Sequence, residues 1–405
     1  MSPGTVGPDP GDPPGDPPNL GPARFAAGVP HDDLRRLRRA APVWWSDQLG
    51  CWVVTTYRLV ERCNRDVAAF SSNDGVVDPE DPGAPEWTPL TALDPPEHSR
   101  QRRLVVAPFT PATVGRLEGT VRLVAAEAVA ELRRQGGGDF VATVAAAVPF
   151  RVMATLTGTP VEDEALIVGW ANAVMPSEDP EYRPDDQAAT AARRALGDYC
   201  LELARFQRHG RRSPLAEVLF AAALDGRPLS DAHVANFLDT FLVGGTETTR
   251  HLLAQGLLAL FEHPGGRRMV AEGGVPVATA VEEMLRWASP VLQHSRRATT
   301  DIELAGAHIG AGDRVTLWIV SANRDEEVFE EPERFDPART PNPHVALGAG
   351  GPHHCLGAHL ARLEARVVFE TLAPMLEDLV QDGPAVRAAS NFFHGIKRLP
   401  VALRR

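Results

Sequence analysis

The spacing of apolar residues along this chain predicts mostly helices, with a small amount of β-structure. Apolar residues recur at helical intervals over much of residues 113–270, and an unbroken pattern over residues 232–263 predicts one long helix. Short β-type runs at residues 42–46 and 51–56, on either side of a turn at Gly50, predict a pair of strands. Further strands are predicted near residues 302–304, 308–309 and 314–317. We therefore expect one large, mainly helical α+β domain over residues 23–405.

Two segments lack any such periodicity. Residues 1–22 are rich in Pro, Gly and Asp, which predicts a disordered or loosely attached leader. Residues 71–91 are a second stretch of this composition. A loop of that length inside a compact domain is usually either functional or disordered.

Composition and charge narrow the class of protein. The chain has 405 residues, 43% of them hydrophobic, which is enough for a large core. No apolar run reaches the roughly 18 residues of a membrane span, and no signal peptide pattern is present, so we expect a cytoplasmic protein without a membrane span. A net charge of −12 argues against nucleic acid or an anionic membrane as the main partner. Four scattered cysteines are typical of a reducing compartment.

The most informative residue is Cys355, which ends a glycine-rich run and precedes an amphipathic helical pattern that starts at Leu356. The unpaired amides and the positive end of a helix N-terminus favour a thiolate. Glycines allow a flat ligand to approach the backbone because they carry no Cβ. A thiolate with room for a planar group indicates an axial ligand of haem iron.

Two other interpretations of this segment stay open on the residues alone. A lone cysteine is often a small buried hydrophobe. His353, His354, Cys355 and His359 are also close enough in sequence for a metal cluster. Zinc sites, however, usually draw their ligands from paired motifs, and the chain has no second pair.

The segment around Cys355 resembles the haem-binding loop of cytochromes P450, Phe-Gly-x-Gly-x-His-x-Cys-x-Gly. Gly351, His353, Cys355 and Gly357 occupy the matching positions. The resemblance implies that Cys355 binds the iron of haem b, while the other three residues help to hold the cofactor. Leu347 stands where the family usually has the Phe beside the sulfur, and one extra residue precedes Gly351. In the family that Phe tunes the iron, so this departure leaves the redox potential open but not the ligation.

The middle of the predicted long helix reads Gly244-Gly245-Thr246-Glu247-Thr248. Each glycine inside a helix costs about 1 kcal/mol relative to alanine, which indicates a functional reason such as close passage over a flat ligand. An acid beside a hydroxyl is suited to proton delivery, although a Thr-rich kink on a solvated face has the same composition. The stretch resembles the oxygen-activation motif of P450s. By that resemblance Gly244 lies against the haem, Thr248 hydrogen-bonds the reacting oxygen, and Glu247 controls proton delivery.

A structural ion-pair network is implied by a third resemblance. Glu283 and Arg286 are three residues apart in a helical pattern with apolar flanks, so at least part of the pair is expected to be buried. The family has such a Glu-x-x-Arg helix and a later Pro-Glu-Arg-Phe segment, which is present here with Arg334. The resemblance implies that Glu283, Arg286 and Arg334 support the haem region structurally.

A fourth resemblance implies residues that bind the haem propionates. His98 and Arg102 are four residues apart after Asp94-Pro95-Pro96, and buried propionates need cationic or hydrogen-bonding partners. This segment resembles the propionate-binding segment of the family. Arg296 and His353 stand at two further positions of that kind.

Together these motifs imply the P450 fold, a helix-rich triangular body with a small β-rich region. They imply a monooxygenase that inserts one atom of O2 into a C–H bond of a hydrophobic small molecule. Residues 390–400 and the lengthened glycine run resemble the actinobacterial subset that hydroxylates sterol side chains and methyl-branched lipids. A hydroxylase or epoxidase that tailors terpenes or polyketides is the alternative. A haem-binding sensor or a peroxygenase is less consistent with an intact Glu247-Thr248 pair.

The resemblance also implies partners and a substrate pocket. We expect a monomer that receives electrons from a ferredoxin and its reductase. Four arginines are candidates for the docking patch, although ordinary helix-surface charge explains them equally well: Arg100, Arg103, Arg362 and Arg366. The candidate pocket residues are mostly apolar and include a predicted strand at residues 291–294: Phe241, Val243, Val291, Leu292, Gln293, Phe392 and Phe393.

Overall fold

The computed structural model describes residues 16–73, 88–175 and 177–404. The helices are α1 His31–Ala40, α2 Tyr57–Arg65, α3 Glu97–Val105, α4 Pro111–Gly115, α5 Glu118–Arg134, α6 Ala147–Thr157, α7 Glu164–Val174, α8 Asp186–His209, α9 Pro214–Ala221, α10 Asp231–Glu262, α11 Pro264–Ala271, α12 Val277–Ala288, α13 Ile319–Ala322 and α14 Ala358–Leu372. The strands are β1 Val43–Ser46, β2 Cys51–Val54, β3 Phe70–Ser71, β4 Gly137–Asp139, β5 Ala223–Leu224, β6 Arg227–Pro228, β7 His294–Ala298, β8 Ile302–Leu304, β9 Ala307–Ile309, β10 Arg314–Leu317, β11 Leu379–Gln381, β12 Val386–Arg387, β13 Ile396–Arg398 and β14 Pro400–Leu403.

The helical core is organised around α10. The Ser230 hydroxyl caps this helix by accepting a hydrogen bond from the amide of His233 at 3.3 Å. Every residue from Thr249 to Leu260 is buried, because α6, α8, α12 and α14 pack around the helix. Apolar side chains of these helices and of α5 form one large hydrophobic cluster. The helix predicted over residues 232–263 is therefore confirmed to within one residue at each end.

A five-stranded sheet with the order β1-β2-β10-β7-β3 forms one side of the fold. The two strands predicted at residues 42–46 and 51–56 are its antiparallel pair β1 and β2. Strand β7 pairs antiparallel with β10, with Ser295 opposite Thr316. The strand predicted at residues 291–294 was wrong in its bounds. The strand begins at His294, and Val291 makes only an isolated bridge to Phe393.

The predicted leader ends earlier than residue 22. Leu20 is fully buried in a cluster that contains Trp44 and Trp318. Its amide donates a hydrogen bond to Gln48 Oε1 at 3.0 Å, so the chain is attached to the body at this point. Residues 1–15, and residues 74–87 of the predicted loop, lie outside the described part of the chain.

Candidate functional site

A largely apolar cavity of about 320 Å³, which we call the inner cavity, lies between α10, the loop that precedes α14, and the segment that leads into β7. Cys355 and Leu347 line it on the side of the loop, and Gly244 and Thr248 line it on the side of α10. The motifs that the sequence separates by more than 100 positions therefore meet at one site.

Cys355 lies just before α14, as the sequence predicted. Its amide donates a hydrogen bond to the carbonyl of Leu347 at 2.8 Å, which ties the loop closed, and Gly357 is the N-cap of the helix. Burial raises the pKa of the Cys355 thiol, although the amide of Gly357 and the nearby guanidinium groups oppose that shift. The Cys355 side chain is nevertheless exposed to the inner cavity. A coordinated cation would reverse this balance, because metal ligation deprotonates a thiol.

The other cysteines do not reach this cavity. Cys51, Cys63 and Cys200 are buried, and burial raises the pKa of Cys63 to about 12. The alternative metal cluster around Cys355 was wrong. Within residues 16–73, 88–175 and 177–404, no three His, Cys, Asp or Glu side chains lie close enough together to hold a metal ion.

The glycines of the two motifs serve different purposes. A Cβ at Gly244 would meet nothing within 4 Å, so this position opens onto the inner cavity. Gly245 also lines the cavity, but a Cβ there would lie 2.9 Å from Met153 Sδ, so this glycine permits the close packing of α6 against α10. Gly351 does not line the inner cavity. It has a φ of +89°, and a Cβ there would lie 2.5 Å from the carbonyl oxygen of Asn64.

The acid and the hydroxyl on α10 point in different directions. Thr248 lines the inner cavity, and its hydroxyl donates to the carbonyl of Gly244 at 2.8 Å. Glu247 is buried on another face of the helix, where it forms an ion pair with Arg250, and His251 Nε2 lies 3.8 Å from its Oε2. Burial raises the pKa of Glu247, and Arg250 opposes that rise. The carboxyl group is therefore not in contact with the cavity itself.

A cluster of buried polar groups forms another wall of the inner cavity. The rings of His98 and His353 lie 4.1 Å apart between centroids. Arg296 donates to Asn64 Oδ1 at 3.0 Å, and Arg102 donates to the carbonyl of His354 at 2.6 Å.

Several polar atoms of this cluster have no hydrogen-bond partner among the described residues. They are both ring nitrogens of His98, His353 Nε2 and Arg296 Nε. Burial lowers the pKa of His353 to about 3 and that of Arg296 to about 10. A buried guanidinium with a spare donor and imidazole rings with unpartnered nitrogens fit an anionic ligand such as the propionates of haem. The residues present therefore fit the cofactor.

The buried ion pair between Glu283 and Arg286 lies outside the inner cavity. Both side chains are fully buried, and Arg286 donates to both carboxylate oxygens at 2.7 and 2.8 Å. The prediction that the Arg334 side chain completes this network was wrong. That side chain is 61% exposed and pairs with Glu331, and only its backbone carbonyl accepts from Arg286. Arg339 takes the expected place, with Nε 3.2 Å from Glu283 Oε2.

Three of the seven predicted pocket residues line the inner cavity: Phe241, Val291 and Phe392. Leu292 is buried in the same cluster as Trp318, and Phe393 packs against His251. Val243 packs against the main core. Gln293 lines a different cavity, because successive residues of an extended segment point to opposite sides.

The sequence analysis missed two residues of this site. Asn64 lines the inner cavity, and its Oδ1 lies 2.8 Å from His294 Nε2. Glu364 of α14 is almost fully buried and also lines the cavity, and burial raises its pKa well above the ordinary value. A signal for Glu364 was present, because it lies four residues after Leu360 on the apolar face of the predicted helix. No local pattern marks Asn64.

Known proteins resemble this chain over most of its length. The sequence profile of the cytochrome P450 family matches residues 276–376. The methyl-branched lipid omega-hydroxylase of Mycobacterium tuberculosis is 38% identical over 392 residues, which cover 91% of each protein. The chain belongs to the cytochrome P450 family. The steroid C26-monooxygenase of the same species is 35% identical over 398 residues, 94% of this chain and 91% of that one.

The fold agrees with this membership. A P450 of Mycobacterium marinum, solved in complex with pseudoionone, superimposes with a TM-score of 0.87 at 36% identity, covering 96% of this chain and 99% of that one. This P450 is therefore a monooxygenase that binds haem b through a cysteine thiolate. Among the described residues, no helix combines the length and the apolar character needed to cross a membrane.

Proposed function

We propose that this P450 hydroxylates a C–H bond of a sterol side chain or a methyl-branched lipid, with Cys355 as the ligand of the haem iron. The observation that carries the proposal is that Cys355, Thr248, the unpartnered ring of His98 and the guanidinium of Arg296 converge on one largely apolar cavity. The named activities of the two mycobacterial relatives support the substrate class.

The haem, when bound, supplies the activation of O2, and the chain supplies positioning and protons. We assign the propionates to His98, Arg102, Arg296 and His353, because these groups are cationic or unpartnered at the cavity wall. Gly244 keeps the helix surface open beside the reacting centre. Phe241 and Phe392 exclude water from the substrate side, because their rings are apolar and line the cavity.

Proton delivery is assigned to Thr248, with Glu247 behind it. The Thr248 hydroxyl faces the cavity and can exchange its hydrogen bond to the Gly244 carbonyl for one to a reacting oxygen. The carboxyl group of Glu247 can approach the Thr248 hydroxyl only after it leaves Arg250, so we assign Glu247 to the control of proton entry. The ion pair sets the resting position of the carboxyl group.

The proposed electron donors are a ferredoxin and its reductase, and the proposed working unit is a cytoplasmic monomer. The arginine patch suggested by the sequence gives only weak support to docking of a ferredoxin. Arg362 pairs with Glu282, Arg366 pairs with Glu118, and Arg100 pairs with Glu97, so much of its charge is neutralised.

The test is the absorption spectrum of the dithionite-reduced holoenzyme with carbon monoxide, measured beside Cys355→His. We expect a strongly red-shifted Soret band for the native protein and its loss in the variant, with haem retained. A red-shifted band in Cys355→His would overturn ligation by Cys355. A screen of sterols and methyl-branched lipids for Soret shifts on binding and for oxidised products then tests the substrate class, and failure of both groups would refute it.

A further inference from the structure

Arg250 on α10 holds the carboxyl group of Glu247 in its resting position. Both side chains are almost fully buried and form an ion pair within the helix. His251 Nε2 lies 3.8 Å from the same carboxyl group, but burial lowers the pKa of His251 well below its ordinary value, so Arg250 supplies the positive charge. The nitrogen of Arg250 that faces Glu247, Nη2, also donates a hydrogen bond to Asn172 Oδ1 at 2.8 Å.

The position of Asn172 is fixed by the packing of its own helix, α7. Its neighbours Ala173 and Val174 are buried in a small cluster with Ala192 of α8. The amide oxygen is therefore presented to Arg250 from a helix other than the one that carries the ion pair. One guanidinium nitrogen connects the acid of α10 to α7.

Release of Glu247 is costly, because Arg250 stays buried after the carboxyl group has left. Arg250 Nε already has no hydrogen-bond partner among the described residues. The ring of Tyr182, with its centroid 5.8 Å from the guanidinium carbon, offers only its face. The oxygen of Asn172 is an acceptor that remains in place when Glu247 moves, so it lowers the cost of separating the ion pair.

The amide of Asn172 is neutral, which distinguishes this contact from another buried contact between an arginine and a partner helix. Arg193 of α8 pairs with the carboxylate of Asp239 on α10, and both side chains are buried. A carboxylate in place of the Asn172 amide would bind Arg250 more strongly and would compete with Glu247 at all times. A neutral acceptor keeps Arg250 in place yet leaves Glu247 as its stronger partner.

We propose that Asn172 is a positioning residue for proton entry. Its side-chain oxygen retains Arg250 when the carboxyl group of Glu247 turns toward Thr248, and so it determines how readily that carboxyl group leaves its resting position. Asn172 is not among the residues that line the inner cavity, and it acts through Arg250 and Glu247. This inference rests on the proposed function, because it assumes that Glu247 controls the entry of protons.

The test follows the first turnover of the haem-loaded enzyme, which needs no identified substrate. The enzyme is reduced anaerobically with an excess of a reduced plant-type ferredoxin and is then mixed with O2 in H2O or in D2O. The rate at which the oxidised Soret band returns is measured at ferredoxin concentrations above which that rate no longer changes. The variants are Asn172→Leu, which removes the acceptor, and Asn172→Asp, which gives the acceptor a negative charge.

The same two substitutions at Asn236 are the matched controls. Asn236 is also a half-buried asparagine, but its amide donates to the carbonyl of Thr88 at 3.2 Å instead of contacting the ion pair. The Soret band of each reduced variant with carbon monoxide shows whether the haem site is intact. If Asn172→Leu loses haem, Asn172→Ala takes its place.

We expect Asn172→Leu to slow the first turnover at least about fivefold and to raise the ratio of the rates in H2O and D2O, because separation of the ion pair then leaves Arg250 without this acceptor. Asn172→Asp should accelerate the turnover and lower that ratio, because the new carboxylate draws Arg250 away from Glu247. Both Asn236 variants should match the native protein. A merely structural role for Asn172 would not move its two variants in opposite directions.

Only opposite shifts of the two Asn172 variants support the proposal, and any other pattern refutes it. Glu247→Gln shows whether a failure extends to the proposed function. If Glu247→Gln slows the turnover and raises the isotope ratio while the Asn172 variants do not shift in opposite directions, the role of Asn172 is refuted and that of Glu247 stands. If Glu247→Gln matches the native protein, the proposed role of Glu247 fails, and the inference about Asn172 fails with it.

Discussion

Replacing Arg339 by alanine should destabilise this P450 far more than replacing Arg334, although the sequence pattern singles out Arg334. The Arg339 side chain is 10% exposed, and its guanidinium donates to Glu283 Oε2 at 3.2 Å and to the carbonyl of Glu330 at 2.7 Å. The Arg334 side chain is 61% exposed and pairs with Glu331 near the surface.

The magnitudes follow from these environments. Glu283 is fully buried and would keep Arg286, Asn342 and the amide of Asp336 as partners, so the network weakens without losing every cation. Hydrogen bonds to a charged group contribute about 1.5–3 kcal/mol each, and the freed carbonyl loses a donor as well, so we expect Arg339→Ala to cost about 3 kcal/mol. An exposed ion pair contributes about 0–1 kcal/mol, which is the expected cost of Arg334→Ala. For a chain of this length, the difference corresponds to roughly 3 °C in the unfolding midpoint.

The assay is the thermal midpoint of the haem-loaded proteins, followed by loss of the Soret band and by calorimetry at one scan rate. A single scan rate is needed because unfolding with loss of a cofactor is not two-state. Arg339→Lys keeps the charge but not the planar fork of donors, so its midpoint should fall between those of the native protein and Arg339→Ala. Equal midpoints for Arg334→Ala and Arg339→Ala would refute the assignment of Arg339 to this network.

Three further predictions concern the site and the core. Thr248→Ala should keep consuming reduced cofactor but form at least about 10-fold less product per electron pair and release peroxide, because the cavity hydroxyl that positions protons is gone. An unchanged ratio of product formed to electrons consumed would exclude that role. Gly351→Ala should lower haem retention and the thermal midpoint, since φ at this position is +89° and the new Cβ would lie 2.5 Å from the carbonyl oxygen of Asn64. The control Gly265→Ala, whose new Cβ would meet nothing within 4 Å, should change neither quantity. Equal haem retention in the two variants would contradict this prediction. Burial lowers the pKa of His394 to about 3, so the stability that depends on its neutral form is complete above the ordinary imidazole pKa of about 6.5. As the pH falls from about 6.5 toward 3, the protein loses up to about 1.4 kcal/mol of that stability per pH unit. His394→Gln should show a shallower fall in the denaturant midpoint over this range, and an identical slope would count against the buried neutral imidazole.

The sequence by itself determined the features that short stretches of chain encode. The apolar period over α10 predicted that helix to within one residue at each end, because a long, strongly periodic segment leaves few alternatives. The contiguous motif around Cys355 placed the cysteine before α14, since a glycine-rich turn and the helix that follows are local structure. The order of the motifs was enough to indicate the family.

Tertiary structure alone decided which side chains meet. Arg334 and Arg339 are five residues apart in one irregular segment, and only its path over α12 brings Arg339 to Glu283. The alternation of residues 293–296 was predictable as a pattern, but which side faces the inner cavity depends on pairing with β10. Asn64 comes from α2 and reaches the site because the loop at Gly351 packs against its backbone. Such contacts join residues that are distant in sequence, so no local period or motif could specify them.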